Sequence, residues 1–424
     1  MSFCTVGRMR EGLTVREASD WIQGVTPELP TETVGGFEAL GRFLAESIVA
    51  TRQLPPSDCS AMDGYAVRAT DLVTAVASRP VELPVVDEIP AGAPSLQSLA
   101  PGQAARIFTG AALPAGADTV VRQEDTERLG DRVRIQIAPE PRAHVREAGE
   151  DIRIGEEILA AGTHLSAAEL GVLSSLGRSM VSVRRRPRVA ILSGGDELVE
   201  VDGDIQGGRI VSSNSYSLIA LCRALGAEAS YLGISKDEPE SVERQFRAAL
   251  GADCIVSSAG VSVGDHDHVR PVLEKLGCRL EFWGVHMKPG YPLAFGRFQS
   301  GSLVFGLPGN PVSAFVTFAQ FVRPALLKMM GAARCFLPTI QARLGETLTK
   351  KAGRLHFVRV RLSRDGDAWL AQSTGNQSSG VMRSLIEADG LLIFPVEATE
   401  LRAGDSAQVQ ILREDWFSGQ TAPF

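Results

Sequence analysis

The stretch over residues 187–331 constrains the fold most, because short apolar β-rich runs alternate there with helical patterns that end in glycine. The runs predict strands near 189–192, 229–234, 254–258, 280–285 and 303–307. Between the first two, Leu218, Leu221, Cys222 and Leu225 recur at helical spacing, with Asn214 in the N-cap region and Gly226 just past the end. Val242, Phe246 and Leu250 before Gly251 repeat the pattern, as do Val269, Val272, Leu273 and Leu276 before Gly277. Strand and helix alternating through short links predict a doubly wound parallel sheet with right-handed crossovers.

The flanks read differently. Residues 53–146 are rich in Pro, Val and Gly, with alternation such as Arg132-Val133-Arg134-Ile135-Gln136-Ile137, which predicts an antiparallel β module. Helical patterns bracket it at 15–22, 37–45 and 167–176, as expected of a domain split by an insertion. Near the C-terminus Val358, Val360 and Leu362 alternate with Arg359, Arg361 and Ser363, and Asp365-Gly366 marks a hairpin, so a small β-barrel is expected. The reading is an α/β multidomain chain: a discontinuous N-terminal domain over 12–52 and 147–184, an inserted β module over 53–146, a doubly wound α/β domain over 185–334 and a C-terminal β-barrel over 335–424. A chain of 424 residues accommodates several cores.

Composition narrows the function classes. The 43 basic and 50 acidic residues leave a net charge of −7, which argues against a bulk nucleic-acid or membrane footprint and requires any anion to be held by a focused site. Lysine occurs only at Lys236, Lys275, Lys288, Lys328, Lys350 and Lys351, so each one is conspicuous. Six scattered cysteines without a CxxC pair suggest reduced cytoplasmic thiols rather than disulfides or a zinc knuckle. No signal peptide or membrane span is expected: the greasiest stretch, 311–330, is interrupted by Gln320, Arg323 and Pro324.

In an open parallel sheet, ligands bind beyond the carboxyl ends of the strands. The segments that follow the strands are loaded with glycine and acid: Ser193-Gly194-Gly195-Asp196-Glu197, Lys236-Asp237-Glu238, residues 258–267 (SAGVSVGDHD), Lys288-Pro289-Gly290 and Pro308-Gly309-Asn310-Pro311. Ser193, Gly195, Ser262, Gly264, Pro308 and Asn310 are therefore candidate cradle residues for a phosphate, since glycine lets backbone N–H groups approach closely and helix N-termini favour anions. Glu197, Asp237 and Asp267 could converge on Mg²⁺, which takes oxygen ligands together with substrate phosphate. A rigid Pro-Gly link would aim Lys288 at the same rim. Taken singly, each loop is also an ordinary βα turn, and His266 and His268 are assigned no ligand role. Asp63 lies in a polar loop running into a strand, where Asp63-Gly64 by itself reads as a tight turn. Cys59 has no histidine close in sequence to activate it.

The motifs LPPSDCSAMDGYAVR (54–68), IFTGAALPAGADTVV (107–121), AGEDI (148–152), SGGDEL (193–198), SNSYSL (213–218), SAGVSVGDHD (258–267) and GLPGNPVSAF (306–315) together resemble the MoeA family of molybdopterin molybdenumtransferases, which includes the gephyrin E domain. The resemblance runs in order from about residue 14 to 412. It implies a four-domain homodimer with an inter-subunit active site that inserts molybdenum from molybdate into adenylylated molybdopterin, with Mg²⁺-dependent release of AMP. It also implies contact with a molybdopterin adenylyltransferase or recipient molybdoenzymes. By motif match, Asp63, Thr109, Asp151, Glu197, Asp237 and Asp267 fall on positions the family uses for activity or for metal and nucleotide binding, the last three as the metal set. Lys288, Pro292, Ser313, Arg359 and Ser379 match the oxyanion side. The chain departs from the family at Tyr291, where KPGKP becomes KPGYP and a cationic donor becomes a phenol that still counts as substrate-binding. Gly194, Ala259 and Cys59 stand where Thr, Gly and Asn are usual. The alternative implied by these departures is a non-catalytic molybdopterin-binding or scaffold paralogue.

Overall fold

In the computed structural model, which describes residues 9–93, 95, 97–258 and 268–413, the alternating segment builds one seven-stranded sheet. Its spatial order is Glu228–Ser235, Arg188–Gly194, Cys254–Ser258, Leu303–Leu307, Ala294–Arg297, Arg279–Val285 and Arg10–Leu13. Side chains alternate between two buried faces. Val189, Ile191, Val256 and Phe305 join one core with Phe318 and Phe321, while Ala190, Leu192, Ile255 and Val304 join another with Val242, Phe246 and Leu273. All five expected strands are present, flanked by helices Ser213–Ala224, Pro239–Ala249 and Val269–Lys275. The first of these is capped at Ser212, two residues before the expected Asn214.

The sheet is not wholly parallel, which corrects the sequence reading. Ala294–Arg297 runs antiparallel to both of its neighbours. No helix fits between Val285 and Leu303, so the chain returns through a short reversed strand of only four residues. Gly296 is forced in that strand, because a Cβ there would lie 2.9 Å from the Arg279 carbonyl oxygen.

The chain divides into two compact units: residues 1–45, 161–166 and 180–424 in one, and residues 46–160 and 167–179 in the other. The first contains the seven-stranded sheet and the helix Val15–Val25, which a capping box starts: Glu17 N–H donates to the Thr14 hydroxyl and Thr14 N–H to the Glu17 carboxylate. It also contains a C-terminal barrel that closes through Leu355–Asp365, Ala368–Ser373, Thr339–Leu344, Ser406–Ile411 and Gly390–Phe394. Val358, Val360 and Leu362 fill the barrel, and Gly366 takes the left-handed turn at φ 58°. The edge pair Met287–Lys288 registers Lys288 against His356.

The helix expected over 37–45 is absent. The chain there makes turns and isolated bridges, Gly41 sits at φ 73°, and Phe37 is 94% exposed, so the apolar spacing had no core to face. In the second unit six strands form one sheet in the order Thr119–Arg122, Gly64–Val67, Ala104–Ile107, Val81–Ile89, Arg132–Ile135 and Thr126–Leu129. Its pairs are antiparallel as expected except Val81–Ile89 with Ala104–Ile107, which is parallel.

Among the described residues no helix is long and apolar enough to cross a membrane. The five described cysteines are unpaired, and burial pushes the Cys222 and Cys278 thiols up to about 12.

Candidate functional site

The carboxyl rim of the seven-stranded sheet holds two cavities, of about 390 and 610 Å³, with Asn310 lining both. They form because Asn310 starts the helix Pro311–Thr317 directly after the strand Leu303–Leu307, leaving Pro308 and Gly309 as a short ridge. The Asn214 amide donates a 2.7 Å hydrogen bond to the Gly309 carbonyl and so ties that ridge to the helix beginning at Ser213.

The smaller cavity is lined by Glu197, Ser212, Ser213, Asn214, Ser258 and Asn310 with apolar neighbours. Beneath it lies a buried hydroxyl chain: Ser212 donates to Ser193 at 3.0 Å, and Ser193 lies 3.3 Å from Ser258. The Glu197 carboxylate folds over Gly195, where φ is 139° and a Cβ would lie 2.5 Å from the Glu197 Oε2. This close approach is what the second glycine of Gly194-Gly195 permits. Asp237 meets the neighbouring loop through backbone and side chain: Asp237 N–H donates to Asp196 Oδ1 at 3.2 Å, and Asp237 Oδ2 accepts from Asp196 N–H at 3.4 Å. Asp267, Ser262 and Gly264 lie outside the described residues. Among the described residues no three His, Cys, Asp or Glu side chains form a metal cluster. Glu197 and Asp237 are nevertheless the donors Mg²⁺ prefers, since it keeps several waters and needs only one or two carboxylates beside substrate phosphate.

The larger cavity has the opposite character. Lys288, Tyr291, Pro292, Pro308, Asn310, Ser313 and Ser379 all line it, so seven of the expected residues converge, and Arg354, Gln377 and Ser378 complete the polar wall. Ser379 is held there because its carbonyl accepts from Val312 N–H at 3.1 Å. Arg359 sits behind this wall and is fully buried. Its Nε donates to the Ser384 hydroxyl at 2.7 Å and its Nη2 to the carbonyls of Asn376 and Ser378, while Nη1 has no hydrogen-bond partner among the described residues. Burial pulls the guanidinium down to about 10. His356 is also buried and held down to about 4, chiefly by desolvation and then by the charge of Lys288. Arg354, Gln377 and Ser378 were not found from sequence, because barrel loops remote in the chain supply them. The signal for Asn214 and Ser212 was the serine-rich stretch at 212–215.

The remaining expected residues lie in the other unit. Asp63 Oδ1 accepts 2.8 Å hydrogen bonds from both the backbone N–H and the hydroxyl of Thr109, and these two bonds hold its carboxyl below the usual range. Gly64 is not the left-handed turn residue that Asp63-Gly64 suggested. It opens a strand, and a Cβ on it would fall 1.9 Å from the Val121 carbonyl oxygen. Asp151 is exposed and anchored through its N–H to Leu54, with no hydrogen bond to Asp63 or Thr109 among the described residues. Cys59 is buried, which raises its thiol and leaves it a poor nucleophile.

Fold and rim define a multidomain α/β protein with two adjoining polar cavities at the carboxyl edge of its sheet, and comparison with known proteins narrows that class. Three family models cover the chain in order: MoeA N-terminal region (domain I and II) at residues 13–177, a probable molybdopterin binding domain at 190–328, and MoeA C-terminal region (domain IV) at 341–412. A molybdopterin molybdenumtransferase of Nostoc sp. is 40% identical over 411 residues, covering 93% of each chain. One from Haemophilus influenzae is 36% identical, over 90% of this chain and 93% of its own. The crystal structure of a molybdopterin biosynthesis MoeA protein from Pyrococcus horikoshii superposes with a TM-score of 0.81 at 32% identity, covering 94% of this chain and 99% of that one. The chain belongs to the MoeA family of molybdopterin molybdenumtransferases.

Proposed function

We propose that the chain is a transferase of molybdenum cofactor biosynthesis that inserts molybdenum from molybdate into the dithiolene of adenylylated molybdopterin, with release of AMP. The observation that carries this reading is the pairing of two cavities across Asn310, one acidic and hydroxyl-lined, the other cationic and, among the described residues, free of carboxylates. A tetrahedral oxyanion suits the cavity of Lys288, Ser313 and Ser379, where donors converge and no acid among the described residues opposes it. The adenylylated end suits the Glu197 side. There Glu197 and Asp237, with Asp267, would hold Mg²⁺, which supplies charge neutralisation at the pyrophosphate when bound. Ser193, Gly195, Ser262 and Gly264 would shape the cradle, with Pro308 and Asn310 as its divider. Arg359 supports the oxyanion wall from behind through the 376–378 loop.

Asp63, Thr109 and Asp151 complete the catalytic set of the same reading. In it the chain is a cytoplasmic homodimer of four-domain subunits, divided at the boundaries given above, whose active site draws on both subunits. Free, buried thiols support a reducing compartment. Incubating purified protein with adenylylated molybdopterin, molybdate and Mg²⁺ tests the activity: AMP and active cofactor are expected, with the rate lost in EDTA. Absence of both products with Mg²⁺ present would sink the transferase and leave the scaffold reading that Tyr291 raises.

A further inference from the structure

We propose that Arg354 is the second cation of the oxyanion cavity, carried on the face of Tyr291. This rests on the oxyanion reading above and concerns the position where the family resemblance leads one to expect lysine. The Arg354 guanidinium lies 4.4 Å from the centre of the Tyr291 ring and lines the same cavity as Lys288. The ring is a fixed platform: Gly284 lies so close that a Cβ on it would be 3.3 Å from the phenol oxygen, and Trp283 meets the ring edge-on at 5.6 Å.

The backbone at Arg354 is equally constrained. Its carbonyl accepts from Lys350 Nζ at 3.1 Å, and the next residue, Leu355, donates its N–H to the His286 carbonyl at 3.1 Å and pairs with Met287. Among the described residues neither Arg354 nor Lys288 has a carboxylate within salt-bridge distance, and none lines the cavity. Both charges are therefore free for a ligand. A phenol at position 291 cannot supply positive charge, but an aromatic face holds a guanidinium by cation–π attraction, and the planar fork offers two donors to one oxyanion. Tyr291 thus displaces the cation by one side chain rather than deleting it.

Calorimetric titration with sodium molybdate tests this on wild type, Arg354→Gln, Tyr291→Lys and the double variant, each checked for an unchanged melting temperature. Arg354→Gln is expected to weaken molybdate binding about tenfold, the scale of one charge-assisted contact. Adding Tyr291→Lys to it should restore binding to within about threefold of wild type. Arg354→Lys, which keeps the charge but loses the planar face, should fall between. Arg354→Gln binding within about twofold of a binding-competent wild type, or a double variant no tighter than Arg354→Gln, overturns the assignment of Arg354 alone. A wild type that binds no molybdate overturns the oxyanion reading and this assignment with it.

Discussion

The two rim cavities share Asn310 yet, among the described residues, carry opposite charge: Glu197 and no cation on one side, Lys288 and Arg354 and no carboxylate on the other. In a chain of net charge −7, Lys288 and Arg354 share one small concavity. Under the proposed function the contrast means that the substrates are sorted before they react: an oxyanion would be drawn to one side and a cation-bridged phosphate to the other, with Asn310 between them.

That division is easiest to break from the acidic side. Glu197→Gln removes charge from the smaller cavity alone, so AMP release should fall about 10²- to 10³-fold, the several kcal/mol expected of a lost metal contact, while molybdate affinity holds. Equal losses in both measurements would show that the cavities are not separate. Lys288→Ala is the mirror experiment: molybdate affinity should drop about tenfold or more in titration, with binding of adenylylated molybdopterin changed little.

The Asp63 pair sharpens the contrast by pH. The two Thr109 hydrogen bonds favour the charged carboxylate and lower its pKa, so Thr109→Val should raise it and move the acid limb of the pH–rate profile upward, leaving the rate near neutrality within about threefold. An unmoved acid limb would separate Asp63 from the rate. An effect shared by both sides is expected at Asn214. Asn214→Ala frees the Gly309 carbonyl, and a loss of about threefold to tenfold in kcat/KM should appear for both substrates at once, because the ridge it ties belongs to both cavities. A loss confined to one substrate would put the divider elsewhere.

Much of this was legible in the sequence where local pattern and burial agree. The five strands of the rim domain each alternate between two buried faces, so their apolar runs stood out, and glycine closed each intervening helix pattern. The short reversed strand at 294–297 was not legible, since four residues carry no period and only pairing on both edges defines them. The 37–45 segment misled for the opposite reason: helical spacing was present, but Phe37 and Leu40 point to solvent and Gly41 turns the chain. At the site, Lys288, Ser313 and Asn310 announced themselves through Pro-Gly links and a helix start. Arg354 did not, because its meaning depends on a tyrosine 63 positions away in the chain, an encounter set by one backbone pairing across the barrel edge.

The buried cysteines also decide what the protein leaves alone. Thiolate is the soft ligand that competes for thiophilic metals, and it exists only where a thiol can ionise. Cys222 and Cys278 are held near 12, Cys254 well above its ordinary value, and no described cysteine lines either cavity. Under the proposed function the substrate's own two sulfurs receive the metal, and among the described residues the cavities offer it no thiolate: the sulfur that lines them is the Met287 thioether.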